Sequence, residues 1–158
     1  METILPIFMV IPFLGFIISL FIPEKKEFLL SALSFYIAGI SLFITTVFTI
    51  AWIWKGFPDL NIKEAVLFRS VGYEYYIDFF FDRVTAIYLF VGAFLTFLIT
   101  IYSRYYLHRE DGYKRFFNTI LFFYFGYNLT VISGNLETLF VGWEILGISS
   151  FLLIAFYQ

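Results

Sequence analysis

The sequence predicts an all-α membrane protein of about five transmembrane helices, with an external β-hairpin between the second and the third. Of its 158 residues, 61% are apolar and 14% are charged, and the mean hydropathy is +0.89. Soluble domains are about half apolar and about a quarter charged. The excess apolar surface therefore has to be buried in lipid, and the apolar stretches are long enough to cross a bilayer.

Composition also excludes several classes of function. The net charge of −2 provides no basic surface for nucleic acid. With no cysteine and a single histidine, His108, the chain cannot form a disulfide, a thiolate site or a multi-histidine metal site. No phosphate-loop, dinucleotide-binding or zinc-protease motif is present. We therefore expect no cofactor, no metal and no catalytic site within this chain.

The apolar stretches form one transmembrane region without a domain linker. The first stretch follows Met1-Glu2-Thr3, which lacks the basic residues that open a signal peptide. We expect a retained helix there, with a kink at Pro12, and we expect Asp82 to cap the third span. The predicted spans cover residues 4–22, 28–54, 83–104, 116–133 and 136–157.

The segment at residues 55–82 is predicted to form the hairpin. Between residues 73 and 80 the side chains alternate in character, as they do in a half-buried strand. A turn is expected at residues 69–72. In the second strand we expect the acidic side chains Glu74 and Asp78 in solvent. We expect the apolar side chains Ile77 and Phe79 to pack on the bundle.

Basic residues in the short loops predict the orientation. The side of the membrane opposite these short loops has only four basic residues, which are spread over a longer acidic segment, and the N-terminus has none. We therefore expect the basic loops in the cytoplasm, the N-terminus and the hairpin outside, and the bacterial inner membrane as the location. Six basic residues lie in the two short loops and their flanks: Lys25, Lys26, Arg104, Arg109, Lys114 and Arg115.

Glu144 is the charged residue placed deepest in any predicted span, about 12 Å from the start of the fifth helix. An ionisable group at that depth costs about 3 kcal/mol or more, and it usually faces protein or water on an ion or proton path. A cation that approaches a buried carboxyl group favours its charged form, and withdrawal of the cation favours proton uptake. The small residues Gly142 and Gly147 would let helices approach closely. We predict that Glu144 transfers protons; the alternative is a glutamate that only hydrogen-bonds a neighbouring helix.

Other polar residues are weaker candidates. Glu137 lies two turns before Glu144 on the same helix face, although an acid at a helix start is also favoured by the helix dipole. His108 can titrate near neutral pH, but it lies in a charged loop. Asn118 and Asn128 are expected to form hydrogen bonds between helices.

Several motifs carry a resemblance to a known family. They are Phe81-Asp82, Tyr102-Ser103, Tyr106-Leu107, the run from Asp111 to Phe117, Gly134-Asn135-Leu136, and the block from Gly142-Trp143-Glu144 to Tyr157. With these residues the chain resembles the N-terminal part of the antiporter-like, proton-translocating subunit called chain 5 of respiratory complex I. Its relatives include the large subunits of Mrp-type antiporters, membrane-bound hydrogenase subunits and the membrane subunit of an inorganic-carbon transporter.

The resemblance implies that Glu144 is the family's span-five glutamate, which pairs with a lysine on a later, broken helix and takes part in moving protons. It also supports the external hairpin. The family's usual Asp-Gly-Leu-Ser opening of span three is here Asp82-Arg83-Val84-Thr85. Family members have many more helices, so we expect this chain to be an N-terminal fragment of a larger bundle, a truncated product or one piece of a split subunit. By itself it should not pump.

Four functions stay open at this point. In the first three the chain is part of a larger assembly: a redox-driven complex of the NADH:quinone oxidoreductase type, an Mrp-type Na+/H+ antiporter, or a bicarbonate or CO2 uptake complex. In the fourth it is a structural anchor without an ion path. The expected partners are the lipid bilayer, other membrane subunits of a multi-subunit complex, and protons, with Na+ as the alternative ion.

Overall fold

The computed structural model describes residues 4–70 and 73–157. Helices occupy the five apolar stretches, and the hairpin lies where the alternation predicts it. Of the turn expected at residues 69–72, residues 69 and 70 belong to the first strand, and residues 71–72 fall outside the described residues. The elements are α1 (Ile7–Phe21), α2 (Glu27–Trp54), β1 (Leu60–Ser70), β2 (Tyr73–Phe81), α3 (Arg83–Tyr106), α4 (Tyr113–Val131), α5 (Leu136–Ile154) and a final 3-10 turn (Ala155–Tyr157).

Three of these helices, α2, α3 and α5, are long and apolar enough to cross a membrane. Helix α1 is apolar but has only 15 residues. Helix α4 has 19 residues, and its polar members lower its hydropathy, among them Lys114, Arg115 and Asn128. The fold is therefore that of a helical membrane protein with a small hairpin, and membrane crossing by α1 and α4 remains a prediction.

A proline and an asparagine link α1 to α4. Pro12 has no amide hydrogen, so the carbonyl of Phe8, four residues earlier, receives no bond from it within the helix. The Asn128 side chain donates its Nδ2 hydrogen to that carbonyl at 2.7 Å, and Asn128 is fully buried. A buried carbonyl without a partner is costly, above all in lipid. Asn128 therefore supplies the bond that the proline removes.

Helices α4 and α5 pack closely because glycines lie at their interface. A Cβ atom on Gly142 would lie 2.7 Å from the backbone nitrogen of Thr130. On the facing helix, a Cβ on Gly126 would lie 2.6 Å from the Ile145 side chain. Backbones that approach this closely exclude any larger residue. We call this contact the α4–α5 seam.

Basic residues at the start of α4 donate hydrogen bonds to backbone carbonyls at the C-terminal ends of two other helices. Lys114 donates to the carbonyl of Leu20 at the end of α1, at 3.1 Å. Arg115 donates to the carbonyl of Phe156, just beyond α5, at 2.6 Å. Carbonyls at helix C-termini lack intrahelical partners and are favoured by positive charge. The two contacts hold α1 and α5 at the end of the bundle away from the hairpin.

The hairpin joins the core at the opposite end. Phe79 and Phe81 on β2 are buried, and Phe81 makes edge-to-face contacts with Phe48 and Trp52 of α2 at 5.0 and 5.2 Å. Aromatic pairs in this geometry stabilise beyond the area that they bury. The expected packing of Phe79 and Ile77 on the bundle is confirmed.

The expectation that Asp78 is solvated is wrong. Its exposed fraction is 6%, whereas Glu74 lies in a partly exposed ion pair with Lys63 at 2.7 Å. The reason is a second partner for β2: the Phe80 amide donates to Ile132, and the Gly134 amide donates to the carbonyl of Asp78, both at 2.8 Å. The α4–α5 turn therefore covers the face on which alternation placed Asp78. Burial raises the pKa of the Asp78 carboxyl group, and the charge of Lys63 opposes that shift.

A double-mutant cycle tests the link between α1 and α4. Asn128→Leu should destabilise the fold by about 1 kcal/mol, because the Phe8 carbonyl loses its partner. In a Pro12→Ala background the cost should shrink, since the substitution restores a backbone amide hydrogen that can bond the same carbonyl. Reversible unfolding in detergent measures both. Equal costs in the two backgrounds would contradict the link, and Asn118→Leu serves as the control on the same helix.

Asp78 predicts a pH dependence of stability. Because its pKa is raised in the folded state, the folded chain prefers the protonated form, and stability should fall as pH rises through that raised pKa. Asp78→Asn should abolish this dependence. The measurement is the unfolding temperature from about pH 4 to about pH 7. Asp59→Asn, an exposed aspartate before β1, should keep the wild-type slope; an unchanged slope in Asp78→Asn would refute the assignment.

Gly142 and Gly147 form a matched pair for testing the seam. Gly142→Ala should destabilise the chain by about 1 to 3 kcal/mol, because the backbone of Thr130 cannot move away cheaply. Gly147 has open space around its Cβ position, so Gly147→Ala should stabilise the helix by up to about 1 kcal/mol. Unfolding of the purified chain compares the two. Similar effects from both substitutions would mean that the seam is not tight.

Candidate functional site

Glu144 lies on the face of α5 that points away from α4. The α4–α5 seam fixes this rotation, because Gly142 and Ile145 face α4 while Glu144 is exposed. Its carboxylate lines a shallow groove with four apolar side chains, and the two largest are well exposed, Trp143 at 67% and Phe140 at 64%. The groove is completed by Leu136 and Leu139.

The carboxylate has no partner within the part of the chain that the structure describes. There it makes no hydrogen bond or ion pair with residues 4–70 or 73–157. Within the same residues it is also the charged side chain farthest from a helix end. Within the described residues Glu144 is therefore an exposed carboxylate at mid-helix.

Helix α5 is the least covered of the three long apolar helices. Only 17% of its most apolar stretch is buried, against 39% in α2 and in α3. The uncovered strip runs the length of the helix and includes Phe140, Trp143, Phe151 and Ile154. Glu144 is the one acidic side chain in the middle of this strip.

The hairpin holds the beginning of α5. Asn135 caps the helix by accepting from the Thr138 amide at 2.9 Å, and its Nδ2 donates to the carbonyl of Tyr76 at 2.8 Å. The Asp78 amide donates to Thr138 Oγ1 at 3.1 Å. These bonds tie the first turn of α5 to β2. The axial position of Glu144, two turns further on, therefore depends on the hairpin.

The other site candidates occupy separate places. Glu137 is half-buried in the first turn of α5. His108 lies at the far end of α3, where its Nδ1 is 2.9 Å from Glu27 Oε2, and the imidazole is largely exposed. Asp82 caps α3 by accepting from the Thr85 amide at 2.8 Å. The structure does not bring His108 together with Glu144.

Sequence reasoning misses two residues that position α5. It does not single out Thr138, and it assigns Asp78 to solvent. The sequence does carry a signal for the cap at Asn135, since asparagine is a preferred N-cap residue, but this signal does not extend to Thr138. No local signal shows that β2 has a second pairing partner at Ile132 and Gly134.

Comparison with known proteins supports the resemblance. Residues 68–117 match the family described as NADH-ubiquinone oxidoreductase (complex I), chain 5 N-terminus. NADH-quinone oxidoreductase subunit L of Neisseria meningitidis is 38% identical over 87 residues, which cover 54% of this chain and 13% of that protein. The A/B component of a probable K(+)/H(+) antiporter of Rhizobium meliloti is 31% identical over 99% of this chain and 15% of its own length. NADH-ubiquinone oxidoreductase chain 5 of Podospora anserina is 32% identical over 94% of this chain and 23% of its own length.

A solved structure shares the fold. It is a chain of the membrane-bound sulfane sulfur reductase, an archaeal respiratory membrane complex, with a TM-score of 0.70 over 95% of this chain and 29% of that chain, at 16% identity. Our chain thus spans less than a quarter of the length of the three relatives named above. The predicted resemblance is confirmed: the chain is related to the N-terminal part of the antiporter-like subunits that include chain 5 of complex I.

Proposed function

We propose that this chain forms the N-terminal part of a proton-translocating membrane subunit of the complex I chain 5 type, and that Glu144 carries protons within it. The observation that carries the proposal is the position of Glu144: a carboxylate at mid-helix, on the uncovered face of a membrane helix. Such a group is too costly to leave against lipid. In the assembled protein another segment would cover it.

The likeness to longer relatives supports that view. The chain corresponds to between 13% and 23% of the relatives named above. Other helices of the same assembly would then pack against the uncovered strip on α5. A cationic side chain on one of them would favour the charged form of Glu144 when close and proton uptake when withdrawn. This alternation is the elementary step of proton transfer that we assign to Glu144.

A cation/proton antiporter is the second candidate. The relative from Rhizobium meliloti is described as part of a probable K(+)/H(+) antiporter, and it matches 99% of this chain. Glu144 would carry the proton in this case too. The two candidates differ in the partners of the chain, a redox module in the first and a cation path in the second.

We also propose that all five helices cross the membrane, with the hairpin outside and the basic loops in the cytoplasm. The basic residues that close α1 and α5, Lys114 and Arg115, lie at the end of the bundle away from the hairpin. This is the asymmetry that the positive-inside rule requires. The expected location is a cytoplasmic membrane with the N-terminus outside.

Cysteine labelling tests this orientation, since the chain has no cysteine of its own. A cysteine at the exposed position of Glu110 should resist an impermeant thiol reagent in intact cells and react once the membrane is opened. A cysteine at the exposed position of Asn61 on β1 should react in intact cells. The reverse pattern would invert the proposed topology.

Substitution of Glu144 tests the function. In the membrane complex that contains this chain, Glu144→Gln should lower proton transport at least about tenfold while assembly is preserved, because glutamine keeps the shape but cannot titrate. Glu144→Asp should retain part of the activity. Proton uptake into sealed vesicles measures the rates.

The control is Glu110→Gln, which removes an exposed loop carboxylate of the same type and should leave transport unchanged. Wild-type transport by Glu144→Gln in an intact complex would contradict the proposal. It would favour the alternative in which the chain is a structural anchor.

A further inference from the structure

A second groove lies between the end of α2 and the start of α3, and its chemistry differs from that of the Glu144 site. Its volume is about 400 Å³, and its walls are apolar apart from Arg83 and Thr49. From Arg83 at the mouth to Phe90 at the far end the groove extends about 10 Å along α3. The remaining lining residues are Trp52, Ile53, Phe57, Ala86 and Ile87.

The mouth of this groove is built by an unusual turn. After α2 the backbone passes through two positive φ angles, 82° at Gly56 and 62° at Phe57. A non-glycine residue in that region costs about 1 kcal/mol or more and persists only where its surroundings hold it. Here the Trp52 indole donates to the Pro58 carbonyl at 2.8 Å, and the Phe57 ring packs edge-on against Trp52 at 5.1 Å.

The strained turn places an aromatic surface under a cation. The Arg83 guanidinium lies over the Phe57 ring, 4.9 Å from its centre. A guanidinium can interact with an aromatic ring and still present N–H groups that bind phosphate oxygens in pairs. Arg83 is exposed, and among residues 4–70 and 73–157 no carboxylate forms an ion pair with it.

From this arrangement we propose that the groove is a binding site for one anionic glycerophospholipid. An acyl chain would lie in the apolar groove between α2 and α3, and the headgroup phosphate would bind the N–H groups of Arg83. The charge at the mouth selects an anionic headgroup, and the apolar walls below it select a hydrocarbon chain. The two features meet where α2 ends and α3 begins, which is the level of the membrane interface if both helices cross the bilayer.

The site is independent of proton transport. It requires only that α2 and α3 lie in a membrane, and both are long and apolar enough to do so. Glu144 lies on another helix and does not line this groove. Failure of the lipid experiment would therefore leave the proposed function untouched.

Native mass spectrometry of the purified chain tests the proposal with phosphatidylglycerol and phosphatidylcholine as probes. The wild type should bind phosphatidylglycerol more tightly than phosphatidylcholine. Arg83→Gln should weaken phosphatidylglycerol binding about tenfold, the loss expected for a hydrogen bond to a charged group. Lys55→Gln, which removes an exposed cation at the same end of α2 but outside the groove, should have no such effect.

Two further variants separate the groove from the charge. Ile87→Trp places a large ring on an exposed wall residue and should block the lipid while Arg83 stays in place. Arg83→Lys should bind with intermediate affinity, because lysine cannot both stack and bind two oxygens. Circular dichroism confirms that each variant is folded. Equal binding of both lipids by the wild type, or unchanged binding by folded Arg83→Gln, would overturn the proposal.

The source of the phosphate and the occupant in the cell are tested separately. Inorganic phosphate should not displace phosphatidylglycerol, since it makes no contact with the groove; displacement at equal concentration would overturn the acyl-chain part. A photoactivatable residue at position 87 should form adducts with lipid in intact membranes. Adducts with protein in place of lipid would show that a polypeptide fills the groove and would also overturn the proposal.

Discussion

The α4–α5 seam decides how the last helix presents its side chains. Gly142 meets the backbone of Thr130, and Gly126 meets Ile145, so turning α5 about its axis would bring a larger side chain into this contact. In the observed rotation Glu144 points away from the bundle and lies on the same uncovered face of α5 as the exposed side chains of Phe140 and Trp143. In a membrane, close backbone packing replaces much of the hydrophobic driving force that holds soluble helices together. The orientation of the carboxylate is thus a packing consequence of two glycines.

The hairpin supplies the second constraint on α5. An isolated two-stranded hairpin is marginally stable in water, and its free edges would stay unpaired. Here one edge of β2 bonds to residues 132–138, and its aromatic side chains enter the core beside α2. The hairpin gains stability from the bundle, and the start of α5 gains a fixed position. Asp78 is buried in that contact, and burial raises the pKa of its carboxyl group.

Most of the fold could be predicted from the sequence, because hydropathy and alternation are local signals. Helices α2 and α3 occupy the apolar stretches at residues 28–54 and 83–104, and the hairpin lies where the side chains alternate from Tyr73 onward. The burial of Asp78 could not be predicted, because it depends on pairing with a turn more than 50 residues away. The link between Pro12 and Asn128 could be predicted only in part. Proline predicts that the carbonyl four residues earlier lacks its helical partner, but only the packed structure shows that Asn128 donates to it.

The site was less predictable than the fold for a physical reason. Depth along a helix can be counted from the sequence, so Glu144 could be placed near the middle of α5. The face of α5 on which Glu144 lies depends on where the backbone of a neighbouring helix approaches. Only the structure shows this approach, in the contact between Gly142 and Thr130. Gly147, predicted by the same small-residue argument, has open space within 4 Å of its Cβ position in the described part of this chain. The proposal therefore predicts that another segment packs on the side of α5 shared by Gly147 and Glu144.

The most direct measurement is an experimental structure of the whole membrane assembly at a resolution that shows side chains and water. The account predicts that the Glu144 carboxylate faces a second transmembrane segment, with a cationic group or ordered water within about 4 Å. A structure in which Glu144 faces lipid acyl chains, with no protein or water beside it, would contradict the account.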